Sequence, residues 1–548
     1  MQRHLLCWQV QIRMLVAIAF LIAALVLVPI ASVAVSTAGP ATDIFQHIVE
    51  TILPDVLTNT LIILVVVAAS TTLIGTTTAW LVAACRFPGR RTFTWLLLLP
   101  LAMPGFIIGY AYTDFLMFTG PVQTALREAF GWTKADYWFP NVHSVGGVSV
   151  ILSLVLYPYV YFIARAAFLE QSGAVLEVAR TLGHSVWSCF FRIALPLARP
   201  AIVAGVALAS MEVLADFGTV QYFGVQTFTT AIYRVWTGFG DYAAAGQLSM
   251  ILLGFVAMLL TAERFARAGR RFERTGRKEV TIPRIELKGM QAVLAFAACA
   301  LPVLLGFVLP LLILLNLHWR SGDDLFSGRF VGLAFNSLIL AGSAALIITM
   351  LAWIIAYALR SSRNALQSGV IRLATLGYAL PGTVIAVGVL APLAAFDRFL
   401  GGVSTAITGQ SFGLILSGSV FALLFAYAVR FLAVAAHALE AALTKVPHNL
   451  DHVARTLGCR QWEVITRVHV PMLWRSSFTA MILVFADVLK ELPATLIVRP
   501  FNFDTLAVRV YHLASDERLA QASTGAIVIV LVSLLPIVLL SRNMDRAG

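Results

Sequence analysis

Twelve stretches of this 548-residue chain are apolar over close to, or more than, the roughly 20 residues that a helix needs to cross a bilayer. They fall at about 14 to 36, 57 to 85, 92 to 118, 145 to 169, 198 to 220 and 242 to 262, then at 290 to 317, 332 to 359, 366 to 396, 412 to 437, 474 to 497 and 519 to 541. With 59% apolar and 12% charged residues, a soluble fold would carry more apolar surface than it could bury, whereas lipid accepts it. The expected fold is therefore an all-α polytopic membrane protein of about 12 transmembrane helices. The first run follows Arg3 and Arg13 and ends near small residues at Ala38, as a signal peptide would. From 14 to 36 it is nonetheless 36 − 14 + 1 = 23 residues long, enough to span, and it is read as a helix.

Basic residues set the orientation. Arg86, Arg90 and Arg91, the stretch from Arg180 to Arg199, Arg360 and Arg363, the stretch from Lys445 to Arg475, and Arg542 and Arg546 all fall on one side if the spans alternate. That side is expected to be the cytoplasm of a bacterial inner membrane, with both termini inside. The net charge of +12 reads as topology, so nucleic acid is not expected as a partner. Residues 263–288 hold nine Lys/Arg against four Glu, a basic cytoplasmic linker beside anionic lipid. Cys7, Cys85, Cys189, Cys299 and Cys459 form no CxxC pair and no zinc spacing, and they read as small apolar fillers.

The chain repeats itself. Glu177-Val178-Ala179-Arg180-Thr181-Leu182-Gly183 returns as His452-Val453-Ala454-Arg455-Thr456-Leu457-Gly458, at an offset of 458 − 183 = 275. Asn59-Thr60-Leu61 matches Asn336-Ser337-Leu338, Pro104-Gly105 matches Pro381-Gly382 (381 − 104 = 277), and Thr230 with Arg234 matches Thr505 with Arg509. Shared hydrophobicity does not produce constant offsets; a duplication fused into one polypeptide does. Six spans per half make the repeats parallel, related by an axis along the membrane normal. The expected organisation is 1–262 as the first unit, 263–289 as the linker and 290–548 as the second unit.

Each repeated polar island carries the same pattern: Glu177, Ala179, Gly183, Ile193, Leu195 and Pro196 in the first copy, and His452, Ala454, Gly458, Val468, Val470 and Pro471 in the second. A helix ended by glycine and a second short helix stopped at a proline predict a rigid hairpin lying on the cytoplasmic face. This spacing resembles the EAA loop of the permeases of binding-protein-dependent ABC importers, and the resemblance covers essentially the whole chain as two permease units. It implies that both loops are coupling helices seated on a cytoplasmic ABC ATPase dimer, and that a periplasmic substrate-binding protein delivers the cargo. Val178 and His452 depart from the family pattern, so the resemblance implies that the two loops grip their ATPase with different contacts. The chain has no Gly-x-x-x-x-Gly-Lys-Ser/Thr loop. The resemblance implies no cofactor bound by this chain and no enzyme activity; ATP and Mg belong to the partner ATPase.

Ionisable residues inside spans cost about 2.5–3.5 kcal/mol each near a helix centre and are functional candidates by default. Glu212 and Asp216 on the fifth span match Asp487 and Glu491 on the eleventh (487 − 212 = 491 − 216 = 275). A spacing of four predicts each pair on one helix face, and the pseudo-symmetry axis would bring the faces together on a central pathway. Hard oxygen donors suit a hard cation such as ferric ion, so all four are also candidate transient metal contacts. The bland alternative places them at wet helix ends, paired with Lys490, Arg234 or Arg509. The segments around them, Ala215 to Val225 with Thr227 to Arg234, and Leu489 to Thr495 with Arg499 to Thr505, resemble the iron(III) branch of fused permeases. Ferric iron is the expected cargo; thiamine, a polyamine or an oxyanion on the same machinery, or an ion-driven secondary transporter, are the alternatives. Tyr110, Tyr112 and Asp114 near an outer helix end are expected in an interfacial aromatic belt.

Overall fold

The computed structural model describes residues 2–37, 42–170, 186–267, 285–321, 324, 327–362, 364–410 and 413–545. Within them the fold is helical, apart from one two-residue strand pair in which Cys85-Arg86 lies parallel to Ile285-Glu286. Ten helices are long and apolar enough to cross a membrane, and two bent pairs bring the number to as many as twelve. In chain order the spans are α1 (Arg13–Ser36), α2 (Leu53–Ala84), α3 (Arg90–Ala102 with Gly105–Phe130), α4 (Val145–Leu169), α5 (Phe190–Ala215) and α6 (Tyr242–Ala266). The second half supplies α7 (Met290–Arg320), α8 (Gly328–Ser361), α9 (Gly382–Thr408), α10 (Val420–Leu443), α11 (Gln461–Met472 with Trp474–Leu489) and α12 (Leu519–Leu539). Each apolar stretch read from the sequence has its helix.

The chain divides into two compact units that interleave in sequence. Unit I comprises Met1–Ile48, Ala231–Met250 and Leu325–Arg509; unit II comprises Val49–Thr230, Ile251–Asp324 and Val510–Gly548. In unit I, α8 packs on α10 and on the Trp474–Leu489 limb of α11, while α1 packs on α9. In unit II, α2 packs along α4, α5 lies against both, and α7 packs on α12. The closeness of α2 to α4 has a local cause: a Cβ at Gly75 would stand 2.7 Å from Val160 Cβ and 2.9 Å from Tyr157 O. Only a residue without a side chain lets the two backbones meet there. Where no side chain is needed for packing, the helices face outward with Leu61, Val65 and Leu73 on α2 and Ile339, Leu346 and Met350 on α8, all exposed, as a lipid-facing surface requires.

The matched Pro-Gly pairs break both halves in the same way. Pro104 (φ −57°, ψ 141°) and Pro381 (φ −58°, ψ 142°) each stand just before a helix that starts at the following glycine, after a short tight turn at Leu99–Ala102 or Leu376–Ala379. Proline supplies no N–H and fixes φ, so it suits a helix start and not a helix interior. The two limbs of α3 meet at 89°. Tyr110 and Tyr112 lie on the second limb of α3 but not in an interfacial belt: Tyr110 is fully buried, and the Tyr112 hydroxyl donates to Leu305 O at 2.6 Å. Their rings fill the interior of unit II.

Candidate functional site

The second repeated island folds as a hairpin. Its first limb is the helix His448–Thr456, with Ala454 buried against unit I and Val453 and Leu457 turned outward. Gly458 follows at φ +83°, in the left-handed region where a side chain costs roughly 1–2 kcal/mol. The Cys459 N–H then donates back to Ala454 O at 3.0 Å, a six-to-one closure that satisfies a terminal carbonyl. The chain turns at Arg460, whose N–H donates to the Glu463 carboxylate at 2.8 Å, and runs on through Gln461–Met472. Leu457 is 77% exposed, Trp462 63% and Val453 54%. Three exposed apolar side chains on one polar loop are the kind of surface that a partner covers.

In the second copy Val468 is half-buried, and Val470 and Pro471 are exposed. The helix passes Pro471 by one residue and bends 80° at Leu473. In the first copy Ile193, Leu195 and Pro196 are half-buried, and α5 runs through Pro196 without a stop. The proline was expected to end a short helix in both copies. In each the preceding turn is widened, at Phe190–Ala194 and Val464–His469, with the N–H reaching five residues back; that displaces the carbonyl a proline ring would strike and lets the helix pass. Glu177, Ala179 and Gly183 lie outside the described residues, as does the side chain of His452.

The acid pairs are placed less simply than a helical spacing suggests. Glu212 is on α5, but the helix ends at Ala215, and Asp216 lies just past it. Its carboxylate accepts from Thr219 N and Val220 N at 3.1 Å each and from the Thr219 hydroxyl at 2.9 Å, which ties down the next helical turn, Gly218–Tyr222. Glu491 does the same beyond the end of α11, accepting from Ala494 N and Thr495 N at 2.9 Å each and from the Thr495 hydroxyl. It also accepts from Arg430 Nη1 at 3.0 Å, a cation on α10 that the first repeat lacks, since Val155 occupies the equivalent position (430 − 275 = 155). Asp487 pairs with Lys490 at 3.0 Å. The members of each pair therefore do not share one helix face, because the second is turned back to cap a new helix.

Each capping acid stands beside its repeat's Pro-Gly break. A Cβ at Gly105 would lie 2.6 Å from Thr219 Oγ1 and 3.6 Å from Asp216 Oδ2; one at Gly382 would lie 2.9 Å from Glu491 Oε1. The sequence shows the Pro-Gly pairs, at an offset of 277, and the acids, at an offset of 275, as separate repeated features and does not show that they touch. Among the described residues no three or more His, Cys, Asp or Glu side chains form a group able to hold a metal ion. Glu212 and Asp216 belong to unit II, and Asp487 and Glu491 to unit I.

Comparison with known proteins places these features in context. The profile described as binding-protein-dependent transport system inner membrane component matches twice, at residues 75–263 and 349–547. The Fe(3+)-transport system permease protein FbpB 2 of Haemophilus influenzae is 26% identical over 497 residues, covering 89% of this chain and 90% of its own length. The molybdenum transport system permease protein ModB of Escherichia coli is 30% identical over 210 residues, covering 37% of this chain and 88% of its own. The sulfate transport system permease protein CysT of the same organism is 27% identical over 193 residues, covering 34% of this chain and 67% of its own.

Proposed function

Since the chain belongs to the family of binding-protein-dependent transport system inner membrane components, with one family segment in each half, we propose that it carries ferric iron into the cytoplasm by alternating access. It is the permease of an ATP-driven importer, a transport subunit and not an enzyme. Residues 1–262 and 290–548 act as two permease units joined by the basic linker 263–289. A soluble receptor on the periplasmic side hands over the cargo, and a pair of ATPase subunits in the cytoplasm supplies the work. The Gly458 hairpin, with its outward Val453, Leu457 and Trp462, is the observation that carries this reading. A loop that only joined two spans would gain nothing from an exposed apolar face.

Ferric iron is favoured as cargo by the relative that matches nearly the whole chain. A second reading, an oxyanion, is favoured by the molybdenum permease that matches a single repeat at 30%. As cargo contacts, Glu212, Asp216, Asp487 and Glu491 would suit a trivalent cation and oppose an anion. Uptake of radiolabelled ferric ion against labelled molybdate, in cells with and without the chain, decides between them. Gly458→Leu tests the coupling itself: uptake is lost while the chain still reaches the membrane, and normal uptake would defeat the assignment.

A further inference from the structure

The second coupling segment is fastened to its bundle by side chains that the first repeat does not carry. In unit II the start of α5 is held by an aromatic cluster: Trp80 on α2 lies 5.4 Å from Phe168 on α4 and 5.2 Å from Phe190 on α5, centroid to centroid. In unit I the equivalent residues are Tyr357 (357 − 80 = 277), Leu443 (443 − 168 = 275) and Ile465 (465 − 190 = 275). The aromatic cluster is gone, and a buried ion network stands in its place. Arg360, one turn from Tyr357 at the end of α8, donates through Nε and Nη2 to Asp451 Oδ2 at 3.1 Å each. Its Nη1 donates to Leu443 O at 2.6 Å and Val446 O at 3.0 Å, at the end of α10. His469 Nε2 lies 2.8 Å from Asp451 Oδ1, and its ring packs 5.4 Å from Tyr357. The Arg360 and Asp451 side chains are at most 8% exposed, and His469 is fully buried.

Asp451 therefore sits on the first limb of the hairpin and meets three other elements: the ends of α8 and α10 through Arg360, and the Gln461–Met472 limb of α11 through His469. A fourth tie reaches the same hairpin from the far end of the sequence, where Gln11 Oε1, on the helix that continues as α1, accepts from Gln461 N at 2.9 Å. The first repeat has Ala83, Leu176 and Ala194 where the second has Arg360, Asp451 and His469 (360 − 277 = 83, 451 − 275 = 176, 469 − 275 = 194), so none of this network is inherited from the duplication. A charge that must be desolvated to fasten a surface loop is costly unless its partners are held in place, and its removal leaves a buried cation unpaired. Such a contact transmits displacement, because neither partner can slip without losing the other.

We propose that Asp451 is a positioning residue for transport, the point through which movement of the second coupling hairpin passes to α8, α10 and α11. The acid next to His452 thus serves inward to the bundle, not outward to the ATPase. This inference rests on the reading of the chain as an ATPase-driven permease.

The test uses the full chain reconstituted in liposomes with its ATPase and its loaded receptor, with ferric ion or molybdate as cargo according to what the wild type carries. Cargo moved per ATP hydrolysed is compared in the wild type, Asp451→Asn and Asp451→Glu. We expect Asp451→Asn to assemble with the ATPase and hydrolyse ATP while the transport ratio falls about tenfold, the scale of a coupling free energy, and Asp451→Glu to recover most of it. If Asp451→Asn does not reach the membrane, His469→Gln, which keeps the Arg360 pair, is read in the same way. A wild-type ratio in an assembled Asp451→Asn or His469→Gln complex overturns the inference, and so does loss of membrane insertion in all three variants, which would make the network a folding device alone. Failure of the wild-type chain to associate with any ATPase would instead defeat the functional reading itself.

Discussion

Replacing Glu491 and Asp216 by alanine, one at a time, separates a helix-capping role from a cargo-binding role, because the structure assigns the two acids equal positions and unequal partners. Asp216→Ala removes an acceptor from two backbone N–H groups and one hydroxyl, all neutral. The loss of such a cap costs about 1–2 kcal/mol. Glu491→Ala removes a comparable cap and also strands Arg430, whose side chain is only 13% exposed. An uncompensated buried charge costs about 3–5 kcal/mol, so with the cap the total is about 4–7 kcal/mol. For a cooperative unit of about 150–250 residues each kcal/mol lowers the unfolding temperature by roughly 2–4 °C. The Glu491 variant should thus lose about 10 °C or more and the Asp216 variant a few degrees, read by tryptophan fluorescence of the purified chain in detergent. Adding Arg430→Met to Glu491→Ala removes the stranded cation and should restore more than half of the loss. Equal shifts for the two single variants, or no recovery in the double, would refute the reasoning. The same double variant then answers the functional question: restored stability with restored uptake means the acid only caps, and restored stability without uptake means it meets the cargo.

Gly75→Leu should sharply lower the amount of folded chain, since overpacking costs about 1–3 kcal/mol even where neighbours yield and here the new side chain meets the α4 backbone at Tyr157 O; size-exclusion recovery in detergent measures it. The Asp451 carboxyl is opposed by burial, yet the His469 contact and the Arg360 charge hold it below the ordinary carboxylate range. Its folded pKa being depressed, its contribution is complete above the unfolded value of about 3.9 and disappears as pH falls through the folded one. The difference in unfolding temperature between wild type and Asp451→Asn should therefore be constant from neutral pH to about pH 5 and shrink below it; a difference that grows on acidification would contradict the pairing. In a chain freed of its native cysteines, Leu457→Cys should react with an impermeant maleimide only from the cytoplasmic side and Phe501→Cys only from outside, both positions being well exposed. Labelling of both from one side would overturn the orientation.

Much of this architecture was legible because lipid imposes simple rules. A stretch near 20 apolar residues must form a helix that satisfies its own backbone, so the ten spanning helices and the two bent pairs could be read from composition along the chain. The Pro-Gly pairs were legible as a repeat at an offset of 277, but proline alone does not mark a helix start here, because Pro158, Pro200 and Pro392 lie inside helices. The ends of α5 and α11 were not legible. The run from Ala207 to Val220 reads as one apolar span, and its helix ends at Ala215 because Asp216 competes with it by hydrogen bonding to Thr219 and Val220. The widened turns before Pro196 and Pro471 were equally hidden, since wide and ordinary turns use the same apolar residues.

The contacts of Asp451 also bear on how a duplicated machine departs from symmetry. Two identical coupling hairpins would answer an identical push identically. In the first repeat the start of α5 is held by ring packing around Trp80, which is soft in direction and insensitive to charge. The second hairpin is fixed by directional hydrogen bonds from one guanidinium to an acid and two carbonyls. His452 replaces the acid expected on the outer face, and the acid one residue earlier is spent on the bundle. Exchanging the two fastenings would then not be neutral. Introducing Ala83→Arg with Leu176→Asp into the first repeat should impair the chain more than Trp80→Phe does, because the ionic form needs the α10-type carbonyls that Arg360 uses, and uptake by the two variants at matched membrane abundance measures the difference. Equal uptake would mean that the position tolerates either chemistry and that the asymmetry is a relic of drift.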